Sequence, residues 1–288
     1  MLSEFEVVKP QTVEEAVTFL ERKDRITKVL AGGTDLLVIL RRSLNMPDVL
    51  LDIKGIEETH RLELSSGVGL FVGASVTVNQ VVGSEIILRK YPALGQAAQA
   101  LGSYQVRNRA TLVGNICNAS PGADLAAPLL VYEAVVHIAS TTGRRTLPLT
   151  EFFTGVKKTV LAANELVVGI SLPDPSSGDQ SVYMRQARIK GHDLGIVGVA
   201  VRIKADRTFL VAISAVAPTP IRLFALEEIL NAQDAPPDSP DLAVIAGEEV
   251  RKFIYPISDV RASAEYRLHI AGVLVKRAVA LLTMTGGT

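Results

Sequence analysis

Two short stretches concentrate groups able to grip a polar ligand. The longer, Thr111–Leu130, sets Thr111, Asn115, Asn118, Ser120 and Asp124 among apolar residues, with Gly114, Asn115 and Gly122 exposing backbone. A core segment has no use for so many polar groups, because each costs free energy unless paired. A loop wrapped around a phosphate-bearing ligand needs them. The shorter stretch, Ala31-Gly32-Gly33-Thr34-Asp35, has the same character. Its glycines can adopt positive φ and bring the backbone close to a ligand. Successive N–H groups in such a turn, with a helix N-terminus behind them, form a concavity for phosphate oxygens. Together the two suggest a nucleotide-type cofactor held by separate loops. Taken alone, Gly32-Gly33 reads equally as a tight strand–helix turn, and it lacks the spacing of the dinucleotide fingerprint. Asp124 is also placed to cap a following helix, with Asn118 and Ser120 making local turns. Capping explains Asp124 but leaves Thr111, Asn115 and Asn118 without a role.

The elements that must position these loops follow from pattern. Phe5–Val8, Thr27–Ala31 and Val49–Ile53 read as strands, separated by a helix from Thr12, with Glu15 completing a capping box, and one from Thr34-Asp35 to about Arg42. Such alternation predicts a small parallel sheet. From Lys54 the pattern becomes antiparallel: a hairpin of Arg61–Leu64 with Gly69–Gly73, a helix boxed by Thr77 and Gln80, helices over Glu85–Lys90 and Ala93–Leu101, and a polar loop over Gly102–Ala110. Leu125–Tyr132 reads as helix, Ala134–Ala139 and Glu165–Leu172 as strands. After the breaker-rich Pro173–Ser181, three strands (Ser181–Ala187, Gly195–Ala205, Phe209–Val216) precede a second break with Pro236-Pro237 and helices near Ala243–Phe253 and Glu265–Leu282. The expected fold is α+β: a two-subdomain ligand-binding fold (1–54 parallel α/β, 55–173 antiparallel α+β), a linker at 174–180, and a C-terminal domain over 181–288 with a three-stranded antiparallel sheet and helices.

Composition narrows the function. The 288 residues carry 30 basic and 30 acidic side chains, so no broad nucleic-acid surface is expected. No apolar run has the length of a membrane span, and the N-terminus lacks a signal-peptide pattern, so the expected location is cytoplasmic. The single cysteine, Cys117, allows no intramolecular disulfide and cannot by itself hold a zinc or iron–sulfur centre. His60, His137, His192 and His269 are scattered. Redox chemistry here must come from an organic cofactor. His192-Asp193 reads as a solvated turn, and Glu227-Glu228 and Glu248-Glu249 as solvated helix faces.

Ala31–Leu37, Arg107–Ile116 and Asn118–Asp124 resemble the FAD-binding motifs of the medium, flavoprotein subunit of molybdenum hydroxylases, the family of carbon monoxide and xanthine dehydrogenases. The resemblance runs the length of the chain. It implies that FAD lies between the N-terminal and middle subdomains. Ala31, Gly32, Gly33, Thr34 and Asp35 would line the pyrophosphate, and Thr111, Val113, Gly114 and Asn115 the other side of the phosphate–ribityl region. Asp124 would hydrogen-bond ribityl or ribose hydroxyls. Val167 and Arg185 match positions that approach the flavin; an ordinary surface cation is the alternative for Arg185. Val113 stands where a glycine is common, but its N–H remains available. Thr34-Asp35 is closer to the xanthine or aromatic-substrate branch than to carbon monoxide dehydrogenases. Covalent relatives of the wider fold use His or Cys, absent from the first loop, so non-covalent FAD is expected. The implied partners are a small subunit with two [2Fe–2S] clusters and a large molybdopterin subunit, in a dimer of heterotrimers. No side chain of this chain need act as acid or base, and electrons would pass from the clusters through FAD to an external acceptor. The rival readings are a stand-alone flavin oxidoreductase of the same fold and a non-redox nucleotide-binding scaffold.

Overall fold

Thr12 starts the first helix as its pattern predicts. Its Oγ1 accepts the Glu15 N–H at 3.1 Å, while the Glu15 carboxylate reaches the N–H of Gln11 at 2.8 Å, one residue beyond the expected box partner. The computed structural model describes residues 4–41, 46–189, 191, 193–233 and 239–285. Strand β1 (Glu6–Val8), helix α1 (Val13–Leu20), β2 (Thr27–Leu30), the short helix α2 (Leu36–Leu40) and β3 (Val49–Asp52) form the N-terminal unit. Its three strands are parallel in the order β1-β3-β2. Val13, Ala16, Val17 and Leu20 are buried on one face of α1, the 3.6-residue period at work. The cap of α2 is Arg41, so the expected extension to Arg42 falls outside the described residues.

The middle unit is a five-stranded antiparallel sheet, β4 (Leu62–Ser65), β5 (Gly69–Gly73), β6 (Val135–Ser140), β7 (Gly143–Pro148) and β10 (Leu166–Pro173), ordered β4-β5-β10-β6-β7. A small hairpin, β8 (Phe153–Gly155) with β9 (Lys158–Thr159), interrupts it. Between β5 and β6 run helices α3 (Val78–Gly83), α4 (Glu85–Lys90), α5 (Pro92–Ala100), α6 (Tyr104–Arg107), α7 (Leu112–Cys117) and α8 (Ala126–Val131). Thr77 and Gln80 form the full capping box of α3. Two expectations are corrected here. The polar loop over Gly102–Ala110 contains α6, capped by Ser103, and Gly114-Asn115 sit in helix α7 rather than in an open loop.

The C-terminal unit has four strands, not three: β11 (Gln180–Gln186), β12 (Val197–Ile203), β13 (Phe209–Ser214) and the two-residue β14 (Ile221–Arg222), followed by α9 (Phe224–Asn231), α10 (Pro240–Glu249) and α11 (Ala264–Thr285). Its central strands are buried on both sides. Ala200, Leu210 and Ala212 join the core that also holds Val17, Leu51, Val72, Leu112 and Ile170, whereas Val199, Val201, Val211 and Ile213 pack with α9–α11. Burial on two faces explains why β12 and β13 are nearly continuous apolar runs. The segment joining β10 to β11 is irregular yet pinned at both ends. Asp174 accepts Lys90 Nζ at 2.6 Å and the Gly67 N–H at 3.1 Å, and Asp179 accepts Arg202 Nε at 3.1 Å and the Ala205 N–H at 2.8 Å. The Pro236-Pro237 break lies outside the described residues.

Glu227 is not on a solvated face. It is 6% exposed, and its carboxylate accepts the Val211 N–H at 2.8 Å together with the Arg222 guanidinium. Charge-assisted hydrogen bonds of this kind contribute about 1.5–3 kcal/mol each, and Glu227→Gln removes the charge while keeping the shape. Thermal unfolding of that variant should show a loss of about this size. No helix among the described residues is long and apolar enough to cross a membrane.

Candidate functional site

The first loop leaves β2 through Gly32 and turns at Gly33, whose φ is +73°, a conformation that favours glycine. The Leu37 N–H closes the turn onto the Gly33 carbonyl at 3.0 Å. Lys54, held by Asp52 at 2.5 Å, donates its Nζ to the Ala31 carbonyl at 3.2 Å and so fixes the loop from below. The backbone N–H groups from Gly32 to Leu36 donate to no other described residue. A run of unpartnered N–H groups leading into a helix is an anion cradle. Asp35 stands at the N-cap of α2 without a side-chain capping bond.

The second loop is built around Thr111. Thr111 is buried and caps α7, its Oγ1 accepting the Gly114 N–H at 3.0 Å. On either side of it the backbone pairs with the entry to α3: the Val78 N–H reaches Ala110 O at 2.8 Å, and the Leu112 N–H reaches Val76 O at 3.2 Å. The Asn115 N–H goes to Thr111 O at 3.0 Å. The Gly114 and Asn115 N–H groups are therefore spent inside the helix, whereas that of Val113 has no partner among the described residues. The Asn115 Oδ1 is buried and accepts no hydrogen bond. Such an atom costs free energy until something donates to it.

The two loops meet. A Cβ on Gly32 would lie 2.8 Å from the carbonyl carbon of Arg109, closer still to its oxygen, and 3.0 Å from the Cα of Ala110. Only glycine allows this backbone-on-backbone approach. The loops are 75 or more positions apart in sequence, yet this contact seats the first directly against the residues that lead into the second.

A second cluster surrounds Asp124. It does not cap α8, whose N-cap is Leu125 with no side-chain bond. Instead its Oδ1 accepts the Tyr183 hydroxyl at 3.0 Å and lies 3.4 Å from Arg185 Nε. Burial pushes the Asp124 carboxyl above its ordinary range, against the opposing pull of Arg185 and Tyr183. Burial, with Asp124 beside it, likewise raises the Tyr183 phenol well above its usual value. Arg185 is not a surface cation. Its side chain is 8% exposed, and its two terminal nitrogens donate to the carbonyls of Ala100 and Asp193. Tyr183 was not among the expected site residues. The signal for it is the Tyr183-Met184-Arg185 spacing, since positions i and i+2 of a strand share a face.

Beside Arg185 lies a cleft of ≈ 730 Å³, lined by Ala100, Ser103, Tyr104, Arg107, Arg185 and Arg188, among others. Arg107 is structural: its guanidinium takes the carbonyls of Gln99, Leu101 and Gly102 and the Asn79 side chain. Tyr104 is 64% exposed. Val167 is elsewhere, buried in the core on β10 beneath α7. His192 lies outside the described residues, and Asp193 binds Arg188 at 3.0 Å, which holds its carboxyl far below the usual range. Cys117 is a partly covered core thiol pushed up to about 12 by burial. A thiol so protonated is a poor nucleophile. Iodoacetamide at mildly alkaline pH should leave it unmodified in the native chain and alkylate it on unfolding, as mass spectrometry would report.

Residues 3–175 match the model of the FAD-binding domain in molybdopterin dehydrogenase, and residues 182–282 that of the CO dehydrogenase flavoprotein C-terminal domain. The chain belongs to this flavoprotein family. It is 32% identical over 281 residues to the xanthine dehydrogenase FAD-binding subunit of Escherichia coli O157:H7, covering 96% of this chain and 95% of that one. It is also 32% identical over 279 residues to the carbon monoxide dehydrogenase medium chain of Hydrogenophaga pseudoflava, covering 96% of each. The solved carbon monoxide dehydrogenase from Hydrogenophaga pseudoflava superposes with a TM-score of 0.91, at 31% identity, over 99% of both chains. The family places FAD on this chain and makes it the flavoprotein part of an oxidoreductase. The features already described fit that cofactor: an orphaned buried acceptor at Asn115, a glycine whose lack of a Cβ lets the two loops touch, and free N–H groups beside it.

Proposed function

We propose that this chain holds FAD non-covalently between its two loops as the electron-transfer subunit of a molybdenum hydroxylase complex. The observation that supports the reading is the approach of Gly32 to Arg109–Ala110, which brings two distant motifs together. Ala31 to Asp35 and the Val113 N–H bind the pyrophosphate, with Thr111 and Gly114 fixing the turn that presents it. Asn115 donates through its amide or accepts through its unpartnered oxygen at the ribityl side. Asp124 accepts from sugar or ribityl hydroxyls. Arg185 holds that carboxylate in place at the wall of the cleft, and Val167 supports the flavin side from the core. When bound, FAD supplies a centre that takes electrons singly and releases them in pairs.

In this reading the small subunit with two [2Fe–2S] clusters delivers the electrons, the large molybdopterin subunit oxidises the substrate, and the assembly is a dimer of heterotrimers. Equal identity to a xanthine and to a carbon monoxide dehydrogenase chain supports placing substrate choice on another subunit. Purification of the tagged chain from its own host tests this. The expected result is co-isolation of one polypeptide with iron–sulfur absorption and one containing molybdenum. A chain that emerges alone, yellow, and is reduced directly by a substrate would instead establish a stand-alone flavin oxidoreductase.

A further inference from the structure

The segment from Asp259 to Arg267 carries charged side chains that flavin binding does not use directly. Arg267, in the first turn of α11, is 1% exposed, a costly place for a guanidinium unless its donors are met. Its Nη1 donates to the carbonyls of Ile196 at 2.7 Å and Ala215 at 3.0 Å, and its Nη2 to Asp259 Oδ1 at 2.8 Å. The other oxygen of Asp259 takes Arg261 Nε at 3.0 Å and Nη2 at 2.5 Å. Arg261 Nη1 then reaches the Gly195 carbonyl at 3.3 Å.

What these arginines hold is the wall behind Asp124 and Arg185. A Cβ on Gly195 would lie 3.3 Å from Arg185 Nε and 3.4 Å from Asp124 Oδ1, so the Gly195 backbone is seated directly on that pair. Asp193, two residues earlier, accepts from Arg185 through its carbonyl. On the other side, the Ala215 N–H donates to Pro121 O at 2.7 Å. A Cβ on Gly122 would meet Ala215 Cβ at 3.6 Å and Arg261 Nη1 at 3.7 Å. The strap therefore backs both runs, 193–196 and 120–124, between which Asp124 and Arg185 face each other.

We infer that Asp259, Arg261 and Arg267 are positioning residues for the flavin site, setting FAD affinity through the placement of Asp124 and Arg185 without touching the ligand. The inference rests on the assignment of that pair to FAD. Arg261 is the residue to change, because it is partly exposed and its loss leaves the buried Arg267 paired. FAD is titrated into the full-length chain after removal of its flavin, following the quenching of flavin fluorescence. Arg261→Leu and Asp259→Asn should each weaken binding about tenfold, the scale at which supporting partners act on the groups they orient. In an Arg185→Lys background the Arg261→Leu effect should shrink to about twofold or less, the non-additivity of residues acting through one another. A purely structural strap would cost the same in both backgrounds. An unchanged affinity in Arg261→Leu, or an undiminished loss in the Arg185→Lys background, overturns the inference. Failure of the unmodified chain to take up FAD overturns the flavin reading itself, and is seen before any variant is compared.

Discussion

Gly32→Ala is expected to give a folded chain that purifies with little or no flavin. The added Cβ would stand 2.8 Å from the Arg109 carbonyl carbon and closer to its oxygen, so the two loops must move apart. Overpacking of this kind costs about 1–3 kcal/mol where the surroundings can adjust. Here the adjustment opens the cradle itself, so the cost falls on the ligand. FAD affinity should drop about a hundredfold, equivalent to about 3 kcal/mol. Gly32, Arg109 and Ala110 lie outside the strands and helices, so far-ultraviolet circular dichroism should change little. Gly83→Ala is the matched control, because a Cβ there meets nothing within 4 Å and flavin content should stay as in the unmodified chain. Full flavin content in Gly32→Ala would mean that the loop contact is incidental to binding.

The second large effect concerns stability. Arg185→Met removes the cation from a buried pair and leaves Asp124 without its compensating charge. Breaking such a pair from one side costs about 3–5 kcal/mol at neutral pH. The pH dependence carries a definite sign. The folded pKa of Asp124 is raised by burial above its unfolded value of about 3.9, so its contribution to stability is fully present below that pH and lost as pH rises through the folded value. Without Arg185 the folded pKa rises further. The deficit of the variant should therefore be largest near neutrality and shrink as pH falls toward about 4. Urea unfolding at several pH values would show this, and a deficit that does not vary with pH would contradict it. Asp124→Asn combined with Arg185→Met should be less destabilised than Arg185→Met alone, since no buried charge is left unpaired.

Much of the site is legible in the sequence because it depends on local chemistry. Gly32-Gly33 announces its turn, Thr12 and Thr77 announce their helices, and the parallel-then-antiparallel alternation gives the order of the sheets. What escapes is decided by contacts between distant residues. Gly114 and Asn115 are weak helix formers, and α7 exists because Thr111 caps it and β10 packs beneath it. Glu227 looks like an exposed helical acid until β13 and Arg222 are folded against it. For Arg185 the sequence leaves two readings, a group approaching the flavin and a surface cation, because its partners, Asp124, Ala100 and Asp193, come from other parts of the chain. The contact of Gly32 with Arg109 is of the same kind: each motif is readable alone, but their meeting belongs to the fold.

The most direct test of the account is the visible spectrum of the purified chain before and after acid precipitation. Absorption near ~370 and ~450 nm that passes into the supernatant is the predicted result, the signature of FAD held without a covalent bond. Colour that stays with the precipitate would place a covalent link where the site offers no reactive nucleophile. A colourless chain that also fails to take up added FAD would contradict the account and leave a nucleotide-binding scaffold in its place.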